Sequence, residues 1–120
     1  MPHLTLDYTD NLLGFDPAAT VNAINQAMVA TGKFGESDVK TRAVQHTVYQ
    51  AGVETTPRAF VHLELALLSG RDVPTRKAIA EAALAAIQPH VPIMPGVEVQ
   101  LSVETRELHR ESYAKSVVQG

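Results

Sequence analysis

Proline directly follows Met1, a placement that could do chemistry no internal residue can do. A small second residue generally lets an initiator methionine be removed. Removal would leave Pro2 as a secondary amine instead of an amide. An α-amino group ordinarily titrates at about 7.7–8.0. Burial or neighbouring cations lower that value, because both disfavour the charged form. A neutral amine at physiological pH would serve as a general base. Lys40 and Arg42 stand two residues apart, and Arg71 follows Gly70 at the end of an apolar run. Guanidinium groups offer planar paired donors that suit carboxylates, and a helix N-terminus nearby would add backbone donors. Arg58, Arg76, Arg106 and Arg110 have no distinguishing placement and read as surface residues.

Other chemistries find little support. Five histidines invite a metal reading, but none falls at a helical ligand spacing and no acidic cluster accompanies them. His3 and His62 occupy matching positions in the two halves of the chain and could face each other. Their expected work is hydrogen bonding on a polar sheet face, and the expectation is no metal and no cofactor. With no cysteine, disulfides and thiolate nucleophiles are excluded. No serine elbow, phosphate loop or dinucleotide glycine pattern is present.

The elements that must position these residues fit one domain over 1–120. The chain has 120 residues, 45% of them apolar and 19% charged, an ordinary globular mix. Its net charge of −3 gives no bulk attraction to nucleic acid or anionic membrane. No apolar run approaches the roughly 20 residues that span a bilayer, and the first residues carry no basic region. The expected location is the cytoplasm.

Leu4 and Leu6 alternate with polar neighbours, which predicts a strand over about 2–8. Asp16-Pro17 then opens a helix, with Val21, Ile24 and Met28 on one face and Gly32 placed to stop it. Residues 39–48 alternate again, with Lys40, Arg42, Val44, His46 and Val48 on one face. A strand follows at 59–68, a helix at about 74–90 begun by Asp72 and Pro74, and a strand at 97–106. The polar tail from about Leu108 reads as an arm or short helix.

His3-Leu4-Thr5-Leu6 matches His62-Leu63-Glu64-Leu65 at an offset of 59 residues, and the helices and later strands follow at a similar offset. A strand-helix-strand unit occurring twice predicts pseudo-repeat halves at about 2–52 and 59–107. Each unit makes a parallel strand pair. The expected fold class is α+β, a four-stranded sheet with two helices on one face. The other sheet face carries His3, Thr5, His62, Glu64, Gln100 and Ser102, too polar for a core. It either meets water or packs on another subunit, and so short a chain favours a symmetric oligomer.

Met1-Pro2-His3-Leu4, Asp10-Asn11, Ala30-Thr31-Gly32-Lys33-Phe34, Phe60-Val61-His62-Leu63 and Gly70-Arg71, in that order and spacing, resemble the 5-carboxymethyl-2-hydroxymuconate isomerase family of the tautomerase superfamily. The resemblance runs from Pro2 to about Leu108. It implies the duplicated βαβ fold, a homotrimer and an enzyme of homoprotocatechuate catabolism. It also implies a cofactor-free reaction that converts the carboxymethyl-hydroxymuconate enol to its oxo isomer. Pro2 would take the proton of the 2-hydroxyl to give a dienolate, and the proton would return at C5. The substrate, a di- or tricarboxylate enol, needs cations to hold it, and Arg71 inherits that role from the family's arginine after glycine.

One departure stands out. The family pattern has arginine where Lys40 stands, and Arg42 matches its next arginine. Lysine keeps the charge but loses the planar fork. Either Lys40 binds a carboxylate as a point charge, or Arg42 has taken over, or the substrate differs. The last option opens a phenylpyruvate-type tautomerase or a dehalogenase within the superfamily. A non-catalytic trimeric binding protein on the same scaffold is the remaining alternative.

Overall fold

Asp16 and Asp72 set the register of both helices. In the computed structural model, which describes residues 1–120, the Asp16 carboxylate accepts from the Ala19 amide at 3.0 Å and Asp72 accepts from Thr75 at 2.9 Å. Each aspartate thus satisfies an amide that the first helical turn leaves without a partner. Proline in each first turn costs no hydrogen bond there. Helix α1 runs Pro17–Ala30 and α2 runs Val73–Ile87. Gly32, at φ 72°, takes the left-handed conformation that lets the chain leave α1.

The strands are β1 (Pro2–Thr9), β2 (Lys40–His46), β3 (Arg58–Leu68) and β4 (Glu98–Leu108). They form one sheet in the order β2-β1-β3-β4. β1 pairs parallel with β2 and β3 parallel with β4, as two helical crossovers require. The central pair, β1 with β3, is antiparallel, with Pro2 opposite Leu67 and Leu6 opposite Leu63.

Period-two alternation decides which side chains enter the core. Leu4, Leu6, Val61, Leu63, Leu65 and Leu67 are buried together with Ile24 and Met28 of α1 and Ile79, Ala83 and Ile87 of α2. Both helices therefore cover one face. Fully burying a side chain of this kind contributes about 1.5–3 kcal/mol relative to leaving it in water, so this layer dominates stability.

Three element ends differ from the sequence expectation by two residues or more. α2 stops at Ile87, and Gln88–His90 continue as a 3₁₀ turn around Pro89, which lacks the amide needed to extend an α-helix. β2 ends at His46 instead of Val48, which is exposed past the end of the β1 ladder. β4 runs two residues further, to Leu108 opposite Leu68. No helix is long and apolar enough to cross a membrane.

Candidate active site

β1 begins at the centre of the sheet, which places the chain terminus between β2 and β3. Pro2 is buried, opposite Leu67 of β3, and His3 pairs with Lys40 of β2. The Met1 ammonium donates to the Asp38 carbonyl oxygen at 3.1 Å. The Lys40 ammonium donates to that same oxygen at 3.0 Å. Lys115, from the C-terminal arm, donates to the Asp38 carboxylate at 2.9 Å.

Arg71 reaches the same corner from the loop after β3. Its guanidinium lies 5.0 Å from the centre of the Phe34 ring and within 3.4 and 3.5 Å of the Leu68 and Lys33 carbonyls. Leu68 is the neighbour of Leu67, the partner of Pro2, and the Arg71 charge lies near enough to act on the terminal amine. Phe34 stabilises the planar cation through its ring face.

These charges act on the terminal amine. Loss of solvent is the largest influence and holds the Met1 amine below its ordinary value. The Asp38 carboxylate opposes this, while Lys40, Lys115 and Arg71 push in the same downward direction. Asp38 itself is held below the usual carboxylate range, first by its hydrogen bond from Lys115 and then by the terminal charge. The corner thus combines a desolvated amine with three cations and one paired carboxylate.

Arg42 is placed differently. It points to the Nδ1 atom of His3 at 3.3 Å. A guanidinium only donates, so Nδ1 accepts and the ring proton belongs on Nε2. His3 Nε2 then donates to the Tyr113 hydroxyl at 3.0 Å, and that hydroxyl donates to the Met1 sulfur at 2.8 Å. Burial, followed by Arg42 and Lys40, keeps the His3 ring below its ordinary value and hence neutral near pH 7. Of the residues singled out in the sequence, Pro2 and Lys40 lie at the chain terminus, and Arg71 is held on the Leu68 and Lys33 carbonyls with its charge acting on the same amine. Arg42 connects to the terminus through His3 and Tyr113.

His3 and His62 do not face each other. His62 pairs across from Asp7, while His3 pairs across from Ala66. His62 bonds Ser102 at 2.7 Å and Glu104 at 2.8 Å, and His46 bonds Asp7 at 2.7 Å. With Arg106 on Glu64 at 2.9 Å, these pairs tile the helix-free face of the sheet. Arg58 and Arg76 depart from the surface expectation: both are half-buried, Arg58 donating to the Ala51 carbonyl and Arg76 pairing with Glu107. A cleft of about 380 Å³ lies against β4 and the 88–97 segment, but it has no charged lining residue to receive an acid.

Asp38, Tyr113 and Lys115 escaped the reading of the sequence. Asp38 lies in a one-turn 3₁₀ segment, Glu36–Asp38, and the arm carries no periodic pattern that would aim it. Only the fold brings positions 1, 38 and 115 together.

Comparison with known proteins gives this geometry a context. The family model for 5-carboxymethyl-2-hydroxymuconate isomerase matches residues 2–119. A crystal structure of a 5-carboxymethyl-2-hydroxymuconate isomerase from Deinococcus radiodurans R1 superposes with a TM-score of 0.87 at 29% identity, over 96% of this chain and 88% of that one. A 5-carboxymethyl-2-hydroxymuconate delta-isomerase superposes with a TM-score of 0.72 at 18% identity, covering 100% and 89% of the two chains. A fused 4-OT wild-type symmetric trimer shares the fold at a TM-score of 0.71 and 18% identity, covering 95% and 91%. No curated protein matches the chain in sequence. The architecture is the tautomerase-like α+β fold.

Proposed function

The chain belongs to the 5-carboxymethyl-2-hydroxymuconate isomerase family, and from that premise we propose that it is a cofactor-free isomerase whose base is the amine of Pro2 after removal of Met1. The single observation that carries this reading is the convergence of a desolvated chain terminus with Lys40, Arg71 and Lys115. Removal of Met1 transfers the free amine to Pro2, which is buried at the head of β1. Burial and the same cations then disfavour its protonated form, which favours the neutral amine a general base requires.

In the proposed reaction the Pro2 nitrogen takes the 2-hydroxyl proton of 5-carboxymethyl-2-hydroxymuconate. The resulting dienolate collects charge on oxygen, and the proton returns to C5. Arg71 pairs with a substrate carboxylate, its fork aimed by the Leu68 and Lys33 carbonyls and by Phe34. Lys40 supplies a point charge near the developing enolate. The favoured substrate is a small di- or tricarboxylate, because one acid group cannot use all of these cations.

A homotrimer follows as part of the same reading. The helix-free sheet face is polar yet lined with internally paired charges, and a protein of this fold is solved as a symmetric trimer. The expected location is the cytoplasm, with no nucleic-acid or membrane partner.

Lysine at position 40, where the family pattern has arginine, favours a second reading in which the superfamily chemistry is kept but the acid substrate differs. Ultraviolet assays of the processed chain on diacid and monoacid enols separate the two. Turnover of the carboxymethyl-hydroxymuconate enol with a strong diacid preference supports isomerisation. Preference for a monoacid such as phenylpyruvate enol contradicts it.

A further inference from the structure

The C-terminal arm turns back across the sheet end after β4. Residues Arg110–Ser112 make a single 3₁₀ turn, held by the Arg110 amide on the Ser69 hydroxyl at 3.2 Å and its guanidinium on the Ser69 carbonyl at 3.0 Å. That anchor brings Tyr113 and Lys115 over the head of β1. Tyr113 touches Met1 directly, its hydroxyl meeting the sulfur at 2.8 Å, and Lys115 reaches it through Asp38, whose carbonyl holds the Met1 ammonium.

Met1 therefore fills the space directly beside the Pro2 nitrogen, with one polar donor and three cations around it. A thioether is a weak acceptor. A carboxylate or enolate oxygen in the same place would take the Tyr113 proton far more strongly, because charge-assisted hydrogen bonds are shorter and stronger than neutral ones.

Resting on the proline-base reading, we propose that Tyr113 and Lys115 are substrate-contacting residues, and that the acid substrate occupies the space Met1 fills here. Tyr113 donates its hydroxyl to a substrate oxygen. Lys115 leaves or shares Asp38 to hold a carboxylate. His3 is the positioning residue for Tyr113, since its Nε2 proton points at the hydroxyl oxygen and turns the hydroxyl proton outward. Arg42 fixes that tautomer through Nδ1, so its part in the site is to orient the chain of donors.

The test uses the full processed chain, with Met1 removal verified by intact mass, assayed on the carboxymethyl-hydroxymuconate enol and on a monocarboxylate enol. Tyr113→Phe is expected to lower kcat/KM on the diacid by about 10-fold or more, the scale of one hydrogen bond to a charged group. Lys115→Gln is expected to raise KM for the diacid about 10-fold and to leave the monoacid within about 3-fold, with Lys115→Arg restoring the diacid. A merely structural arm would not separate the two substrates. Melting temperatures matching the parent confirm folding, and a Lys115→Gln that melts early is replaced by Lys115→Met, read against the same Lys115→Arg rescue.

Parent kinetics in both Tyr113→Phe and Lys115→Gln overturn the proposal. Equal losses on both substrates in Lys115→Gln, without rescue by arginine, overturn the carboxylate role of Lys115. Processed Pro2→Ala measured beside them separates the premise: an active Pro2→Ala contradicts the base itself, whereas an inactive Pro2→Ala with parent-like arm variants contradicts the arm alone.

Discussion

Met1 and Lys40 place their ammonium groups on one acceptor, the Asp38 carbonyl oxygen, at 3.1 and 3.0 Å. Two cations held on one oxygen repel each other, and the amine that can lose its proton is the one desolvated at the terminus. The short turn ending at Asp38 and the first residue of β2 thus build the electrostatics of the proposed site.

The pH dependence follows from that arrangement. An amine held below its ordinary value of 8.0 is neutral from a lower pH upward. In the processed protein the Pro2 amine would stand beside the same cations, so kcat/KM should rise with pH as that amine loses its proton. Lys40→Met removes a cation that disfavours the charged amine, so the rising limb should move to higher pH. A pH-rate profile of the two proteins checks this, and an unmoved limb would contradict it.

Stability should respond in the acid range through Asp38. Its folded-state pKa lies below the ordinary 3.8, so its contribution is present above that value and is lost as pH falls through the folded value. Asp38→Asn should flatten this part of the acid-unfolding curve while leaving the curve's shape near neutrality unchanged. Melting temperatures measured between about pH 2 and 7 report the difference.

Arg71→Ala should lower kcat/KM on the diacid on the order of 10²-fold, the scale of losing one charge-stabilising donor. Thermal stability should change little, because the two carbonyl contacts of Arg71 are long, at 3.4 and 3.5 Å. Parent-like turnover would remove Arg71 from the site.

Lys40 and Arg42 should separate under substitution. Lys40→Met removes a charge beside the amine, whereas Arg42→Gln acts only through His3 and Tyr113. Lys40→Met should therefore cost more activity, and Arg42→Gln should lose less when Tyr113 is already phenylalanine. Sedimentation offers a separate check on assembly: the protein should run at three times its 12.9 kDa chain mass.

The fold was largely legible because each strand exposes its pattern to one core. Leu63, Leu65 and Leu67 alternate strictly, and Asp16-Pro17 and Asp72 with Pro74 announce the helix starts. The antiparallel pairing of β1 with β3 was not legible, since alternation states which face a side chain takes and not which strand lies beside it. Among the candidate site residues, Pro2, Lys40, Arg42 and Arg71 stood out by position and charge type. Asp38, Tyr113 and Lys115 did not, because an irregular turn and an aperiodic arm acquire their direction only from contacts such as Arg110 on Ser69.

The most direct measurement of the central claim is kcat/KM of the processed protein and of processed Pro2→Ala on the carboxymethyl-hydroxymuconate enol. The processed parent should isomerise it, and Pro2→Ala should fall on the order of 10²–10⁴-fold, the scale of general base catalysis. Pro2→Ala turning over at the parent rate would contradict the assignment of Pro2 as the base.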